Sequence, residues 1–205
     1  MELRVLEELR SALERLPGPL PNFNLVHAIL MLITLENGPV GRKKLSDYVG
    51  LGEGSVRSLI KRLREMDYLE VGKEGCFLTK KGAKRLRELR EVIEGPIELE
   101  FKELVKGKAY ALLLKGISVT GSQVIELRDE AVRMGGRGAI ILIQEGGALL
   151  FPENRVPLRK YHPKDEIAIM KSLKPLNGDL VVIGLGDSLH QSKLAALAVS
   201  MRVLD

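Results

Sequence analysis

The 205-residue sequence contains one cysteine, Cys76, and three scattered histidines. One thiol cannot close an internal disulfide, and these residues make no spacing that would hold a zinc ion, so neither a disulfide scaffold nor a structural metal is expected. No apolar run approaches the ~20 residues needed to cross a membrane. The N-terminus, MELRVLEELR, is acidic and amphipathic and lacks the apolar core of a signal peptide, which makes the cytoplasm the expected location. There is no Walker loop and no metal box. His162 and His190 have no partnered nucleophile, since Ser188 and His190 stand two apart at a helix start and diverge in direction. Asp129 and Glu130, flanked by Arg128 and Arg133, read as a solvated helix face rather than an acid/base pair. Catalysis and a cofactor are therefore not expected.

What the chain does have is charge of one sign in one place. Its length suits two compact domains, and its 45% hydrophobic and 29% charged residues are those of a soluble globular protein. Between Val40 and Arg90, 14 Lys and Arg face 7 Asp and Glu, a net of +7; the preceding residues carry −2, and the rest balance at 15 of each sign. A surface rich in Lys, Arg and Glu, with few Asn, Gln and Cys, suits a heat-stable protein, but heat stability would not segregate the sign. A segregated cationic segment suits a polyanion such as double-stranded DNA.

The pattern inside that segment is specific. After Val40, a short helix opens on Arg42, Lys43 and Lys44, whose charges oppose the helix dipole and are tolerable beside a phosphate. It ends at Val49. Gly50-Leu51-Gly52 supplies a tight turn, and Glu53 to Met66 form a second helix with Val56, Leu59, Ile60 and Leu63 at i, i+3, i+4, i+7. Its complement is a polar and cationic face of Ser55, Arg57, Ser58, Lys61, Arg62 and Arg64. Tyr68 to Val71 and Cys76 to Leu78 then read as strands, with glycines at 72 and 75 bracketing a Lys73-Glu74 tip. Helix, turn, helix and hairpin together predict a winged helix-turn-helix.

The run Gly41 to Gly82 resembles the DNA-binding domain of bacterial and archaeal winged-helix regulators, down to the Leu78-Thr79-Lys80-Lys81-Gly82 that closes the wing and opens the next helix. With its flanks, the whole chain resembles archaeal two-domain proteins in which a winged helix precedes an uncharacterised α/β domain. The resemblance implies a regulator of transcription that lays its second helix in the major groove. Ser55, Arg57, Ser58 and Lys61 would then stand nearest the bases, and Arg62, Arg64 and Lys73 would meet phosphates.

Flanking helices complete the first domain, read as residues 1–95. Glu2 to Leu16 place Leu6, Leu9, Leu13 and Leu16 on one seam, which either covers the chain's own winged helix or joins a second subunit. Pro17 to Pro21 stop it. Asn22 or Asn24 caps the next helix, with His27 beside its apolar face. Thr79 caps a helix read as Lys80 to Glu94 and ended by Gly95-Pro96. Its apolar stripe of Ala83, Leu86, Leu89 and Ile93 is a second candidate for pairing in a homodimer.

From residue 96 the texture changes to short apolar runs, Ala109 to Leu114, Ala139 to Ile143 and Leu180 to Leu185. They alternate with helical patterns over Gly121 to Met134, Pro163 to Leu173 and Ser188 to Val203. This predicts a small α/β sandwich, and the Gly146-Gly147 turn after Ile143 makes one hairpin antiparallel in an otherwise mixed sheet. Two strand-to-helix junctions, Thr120-Gly121-Ser122 and Gly184-Leu185-Gly186-Asp187-Ser188, are read either as seats for a small anionic effector or as ordinary helix caps. The function expected is a DNA-binding regulator tuned through its second domain. The alternatives are a protein-interaction module of transcription or replication machinery, or a small-molecule enzyme carrying a winged helix.

Overall fold

The computed structural model describes residues 3–14 and 21–205. It divides into two compact units, one ending at Arg90 and the other beginning at Glu91.

The first unit is built on four helices, a hairpin and a fifth helix: α1 (Arg4–Glu14), α2 (Leu25–Thr34), α3 (Arg42–Val49), α4 (Glu53–Glu65), β1 (Leu69–Gly72), β2 (Gly75–Leu78) and α5 (Lys80–Arg90). α2 starts where Asn24 caps it, accepting from the amides of Val26 and His27 while the Asn24 amide donates to the His27 ring. α3 stops at Gly50, which takes the left-handed conformation at φ 72° and so needs no Cβ. The α4 residues Val56, Leu59, Ile60 and Leu63 are all buried, as the spacing requires. β1 and β2 pair antiparallel around the Lys73-Glu74 tip, and Val40 exchanges two backbone hydrogen bonds with Cys76, at 2.8 and 2.9 Å. That exchange holds the start of α3 against the hairpin.

Leu3, Val5, Leu6 and Leu9 are buried, so the part of the seam on α1 closes over its own chain, where it packs against α2 and α5. Leu16 and Pro17 to Leu20 lie outside the described residues. α1 is fastened by one carboxylate. Glu8 accepts from the Tyr68 hydroxyl at 2.7 Å and from Arg85, with Lys81 at 3.6 Å. Burial alone would raise the Glu8 carboxyl, but the Tyr68 and Arg85 hydrogen bonds outweigh it and hold it below its ordinary value. Burial and the Glu8 bond push the Tyr68 hydroxyl far up. A depressed folded-state pKa contributes stability that is present above the unfolded value and lost as pH falls through the folded one. Glu8→Gln should therefore cost about 2 kcal/mol at neutral pH. Thermal unfolding of variant and wild type should converge once the pH is well below 4.5, the ordinary value for this carboxyl.

The second unit is a five-stranded sheet between helices. Its strands are β3 (Ile93–Phe101), β4 (Gly107–Leu114), β5 (Gly138–Glu145), β6 (Ala148–Leu150) and β7 (Leu180–Leu185), in the order β3-β4-β7-β5-β6. α6 (Gln123–Arg133) and α8 (Leu189–Val203) cover one face, and α7 (Pro163–Leu173) covers the other. Ala111, Leu113, Val181 and Ile183 meet Ile169 and Leu173 of α7, while Gly184 turns to α8.

Two expectations are corrected. The sheet is antiparallel throughout rather than mixed. β4 and β5, joined through α6, do run the same way, but β7 lies between them in the opposite sense, so no parallel pair forms. The helix read as Lys80 to Glu94 ends at Arg90, and Gly95-Pro96 lies inside β3. A proline is tolerated there because β3 is an edge strand and the pairing shifts register between Glu94 and Ile97. Leu99 and Phe101 then point inward between exposed Glu98 and Glu100.

Candidate nucleic-acid interface

On α4, burying Val56, Leu59, Ile60 and Leu63 leaves Arg57, Ser58, Lys61 and Arg64 exposed, while Ser55 and Arg62 sit half-buried at the flank. The helix therefore brings Arg57, Lys61 and Arg64 onto neighbouring positions one turn apart. Lys61 reaches Glu65 only loosely, at 3.9 Å, with its side chain 79% exposed, and Arg64 meets Glu70 of β1 at 3.5 Å. Arg62 is turned away and pairs with Glu65 at 3.4 Å. Ser58 donates back to the Gly54 carbonyl at 3.1 Å.

α3 adds to this surface. Arg42, Lys43 and Lys44 are exposed, with Lys44 lying 5.7 Å from the centre of the Tyr48 ring. Arg42 and Lys43 line a cleft together with Glu53, Val56 and Arg57. Among the described residues, Arg42, Lys43, Arg57 and Lys73 have no carboxylate within ion-pair reach. Arg42 and Arg64 are also close enough to the buried Cys76 thiol to oppose the rise that burial imposes on it. The cationic start of α3 and the exposed side of α4 thus share one cleft, and Arg64 carries that side to β1 through Glu70. Lys73 is exposed at the hairpin tip beside Glu74, so the tip itself is electrically neutral.

Both helix starts are open. Gly41 and Gly52 are the N-caps of α3 and α4, with no side-chain hydrogen bond, at φ −66° and −62° that any residue adopts. A Cβ at either would meet nothing within 4 Å. Neither strain nor crowding demands glycine there, and its effect is to leave the first amides free beside the Arg and Lys side chains.

The second unit separates its two junctions. Leu114 pairs with Leu180 and Gly138 with Leu185, so the residues after β4 and those after β7 lie at opposite ends of the sheet. Thr120, Gly121, Ser122 and Gly184, Gly186, Asp187, Ser188 therefore do not form one site. Their polar groups are also engaged. Ser188 caps α8, and the Asp187 and Ser188 amides donate to Gln191 at 2.9 and 3.1 Å. A Cβ on Gly184 would lie 1.9 Å from the Ser192 carbonyl, and one on Gly186 would strike Gln191, so these glycines let α8 pack on β7. Thr120 bonds to Ser122 and Gln123, and Gly121 lies tight against the Pro152-Glu153 backbone.

A cluster that sequence reading missed lies at the start of α7. Ligand atoms of Glu103, His162 and Asp165 stand within 4.8 Å of one another. Asp165 is 1% exposed, and its carboxylate accepts from the amides of Lys102, Glu103 and Leu104 at 2.8, 2.8 and 2.5 Å. Burial would raise this carboxyl, but those three bonds hold it below its ordinary value. One imidazole and two carboxylates are donors a divalent cation accepts. Asp165 is already committed to fastening the 102–104 loop to α7, however, and Glu103 meets Lys164 at 3.7 Å. No local signal could have found the trio, because Glu103 comes to the His162–Asp165 pair from about 60 residues earlier in the chain.

Residues 25–84 match the family model described as PH0730-like, N-terminal domain, and residues 105–203 match Domain of unknown function (DUF4443). The hypothetical protein PH0730 from Pyrococcus horikoshii OT3 superposes with a TM-score of 0.72 at 32% identity, over 87% of this chain and 91% of that one. The central glycolytic genes regulator of Priestia megaterium (strain DSM 319 / IMG 1521) is 33% identical over 110 residues, 54% of this chain. The match spans only 31% of that relative's length. Among the described residues, no helix is long and apolar enough to cross a membrane.

Proposed function

We propose that this chain, which belongs to the same family as the Pyrococcus horikoshii hypothetical protein, is a DNA-binding regulator of transcription that docks on duplex DNA through a winged helix in its first unit. The observation that carries the reading is the joint surface of α3 and α4, where Arg42, Lys43 and Arg57 line one cleft without ion-pair partners among the described residues. Lys61 and Arg64 extend that surface along α4, two uncapped helix starts open beside it, and the hairpin adds Lys73. Phosphates would meet Arg42, Lys43, Lys44, Arg64 and Lys73, and Arg57, Ser58 and Lys61 would reach base edges. Ser55 and Arg62, being half-buried on the far flank, have smaller parts. The Priestia relative, a regulator of glycolytic genes by name, supports the same class.

The test is capture of genomic DNA fragments by the full chain, followed by sequencing. A regulator recovers a few fragments that share a motif and lie upstream of genes.

A second reading, a protein-interaction module, is favoured by one feature, a groove lined by Leu78, Ala83 and Leu86 between Glu36, Lys80 and Arg87. If no fragment is enriched and a stoichiometric protein partner co-purifies instead, that reading takes its place.

A further inference from the structure

Glu53 is out of character with the surface it occupies. It is exposed in the first turn of α4 and lines the cleft that holds Arg42, Lys43 and Arg57. Glu65 and Glu70 on the same side of the unit are engaged by Lys61, Arg62 and Arg64, whereas among the described residues no cation lies within ion-pair reach of Glu53. A free carboxylate on a face that meets a polyanion weakens binding to every sequence alike. Helix stability offers a plain reason for an acidic residue in a first turn. Yet the same turn forgoes a side-chain cap at Gly52, where a Cβ would meet nothing within 4 Å. Helix stability therefore leaves room for a further role for the carboxylate.

A carboxylate repelled by phosphates is useful where it accepts a hydrogen bond from a base. The first residues of a helix laid in the major groove are the ones that reach base edges. Cytosine presents an amino donor there, whereas adenine sets its donor beside the N7 acceptor, which repels a carboxylate and suits an amide. Building on the DNA-binding reading above, we infer that Glu53 is a specificity residue that accepts from the N4 amino group of a cytosine. Arg57, one turn further on and facing the same cleft, is placed for a guanine in or beside that base pair.

The experiment is selection from a randomised duplex library by the full-length wild type, Glu53→Gln and Glu53→Ala. Wild type should prefer cytosine about tenfold at one position. Glu53→Gln should move that preference to adenine, because an amide pairs with both N6 and N7. Glu53→Ala should leave the position unselected and should bind unselected duplex more tightly, having lost one repelling charge. A cytosine preference unchanged in Glu53→Ala, or a wild-type motif with no position that either variant alters, overturns the assignment while leaving DNA binding intact. Failure of the wild type to select any duplex overturns the assignment and the DNA-binding reading together.

Discussion

Replacing Arg57 and Lys61 together with alanine should weaken duplex binding about a hundredfold at ~0.1 M salt, as expected for two lost charge-assisted contacts. Both side chains are exposed, and the apolar residues of α4 lie on the opposite side, so the fold should be unaffected. Because both are assigned to base edges rather than phosphates, the same pair should lower the dependence of log affinity on log salt by clearly less than two. Arg62→Ala is the matched control. Its side chain is 28% exposed and already paired with Glu65, so it should cost less than either of the other two. Anisotropy titrations on a selected duplex measure all three. Equal losses for Arg62 and Arg57 would mean that the exposed side of α4 is not the docking face.

The largest effect on stability is expected at Gly82. This α5 residue is buried against the chain entering the hairpin, and a Cβ there would lie 1.9 Å from the Tyr68 carbonyl oxygen and 2.8 Å from its carbon. Both groups are backbone, so neither can swing aside. The contact is stitched on either side, with the Thr79 amide donating to the Tyr68 carbonyl at 3.1 Å, Lys81 to the Met66 carbonyl at 2.9 Å, and the Gly82 amide to the Thr79 hydroxyl at 3.0 Å. A methyl group would force α5 off the hairpin and draw Tyr68 from Glu8. Gly82→Ala should therefore cost at least about 3 kcal/mol in denaturant unfolding, more than ordinary overpacking of a side-chain core. Gly54→Ala provides the contrast. Nothing lies within 4 Å of that Cβ, so in the first turn of α4 it should add about 0.4 to 1 kcal/mol by restricting the unfolded chain.

The first unit was legible because its signals are local. The apolar stripe of α4 repeats within four residues, the turn before it is bracketed by Gly50 and Gly52, and the hairpin tip by Gly72 and Gly75. The role of Gly82 was not legible, because the backbone it touches belongs to Tyr68 and not to its own helix. Apart from β3, which the sequence reading did not give, the strands and helices of the second unit were readable one by one, and α7 begins at Pro163 and ends at Leu173 as the pattern reads. Their pairing was not. β7 inserts between β4 and β5 from far along the chain, and no residue in any of the three strands announces its neighbour. Gly95-Pro96 misled for a physical reason, because the dipeptide that breaks a helix also fits an edge strand at a register shift. The glycines at 184 and 186 were visible as glycines, but the close packing of α8 on β7 that they permit was not.

Whether this surface meets phosphates, as proposed, is tested most directly by the affinity of the full chain for a duplex of fixed sequence between 50 and 200 mM salt. With about six cations engaged, the affinity should fall on the order of a thousandfold across that range, and log affinity should be linear in log salt. An affinity that changes less than about threefold over the same range would contradict the account, because binding would then owe nothing to the phosphates that this surface is proposed to meet.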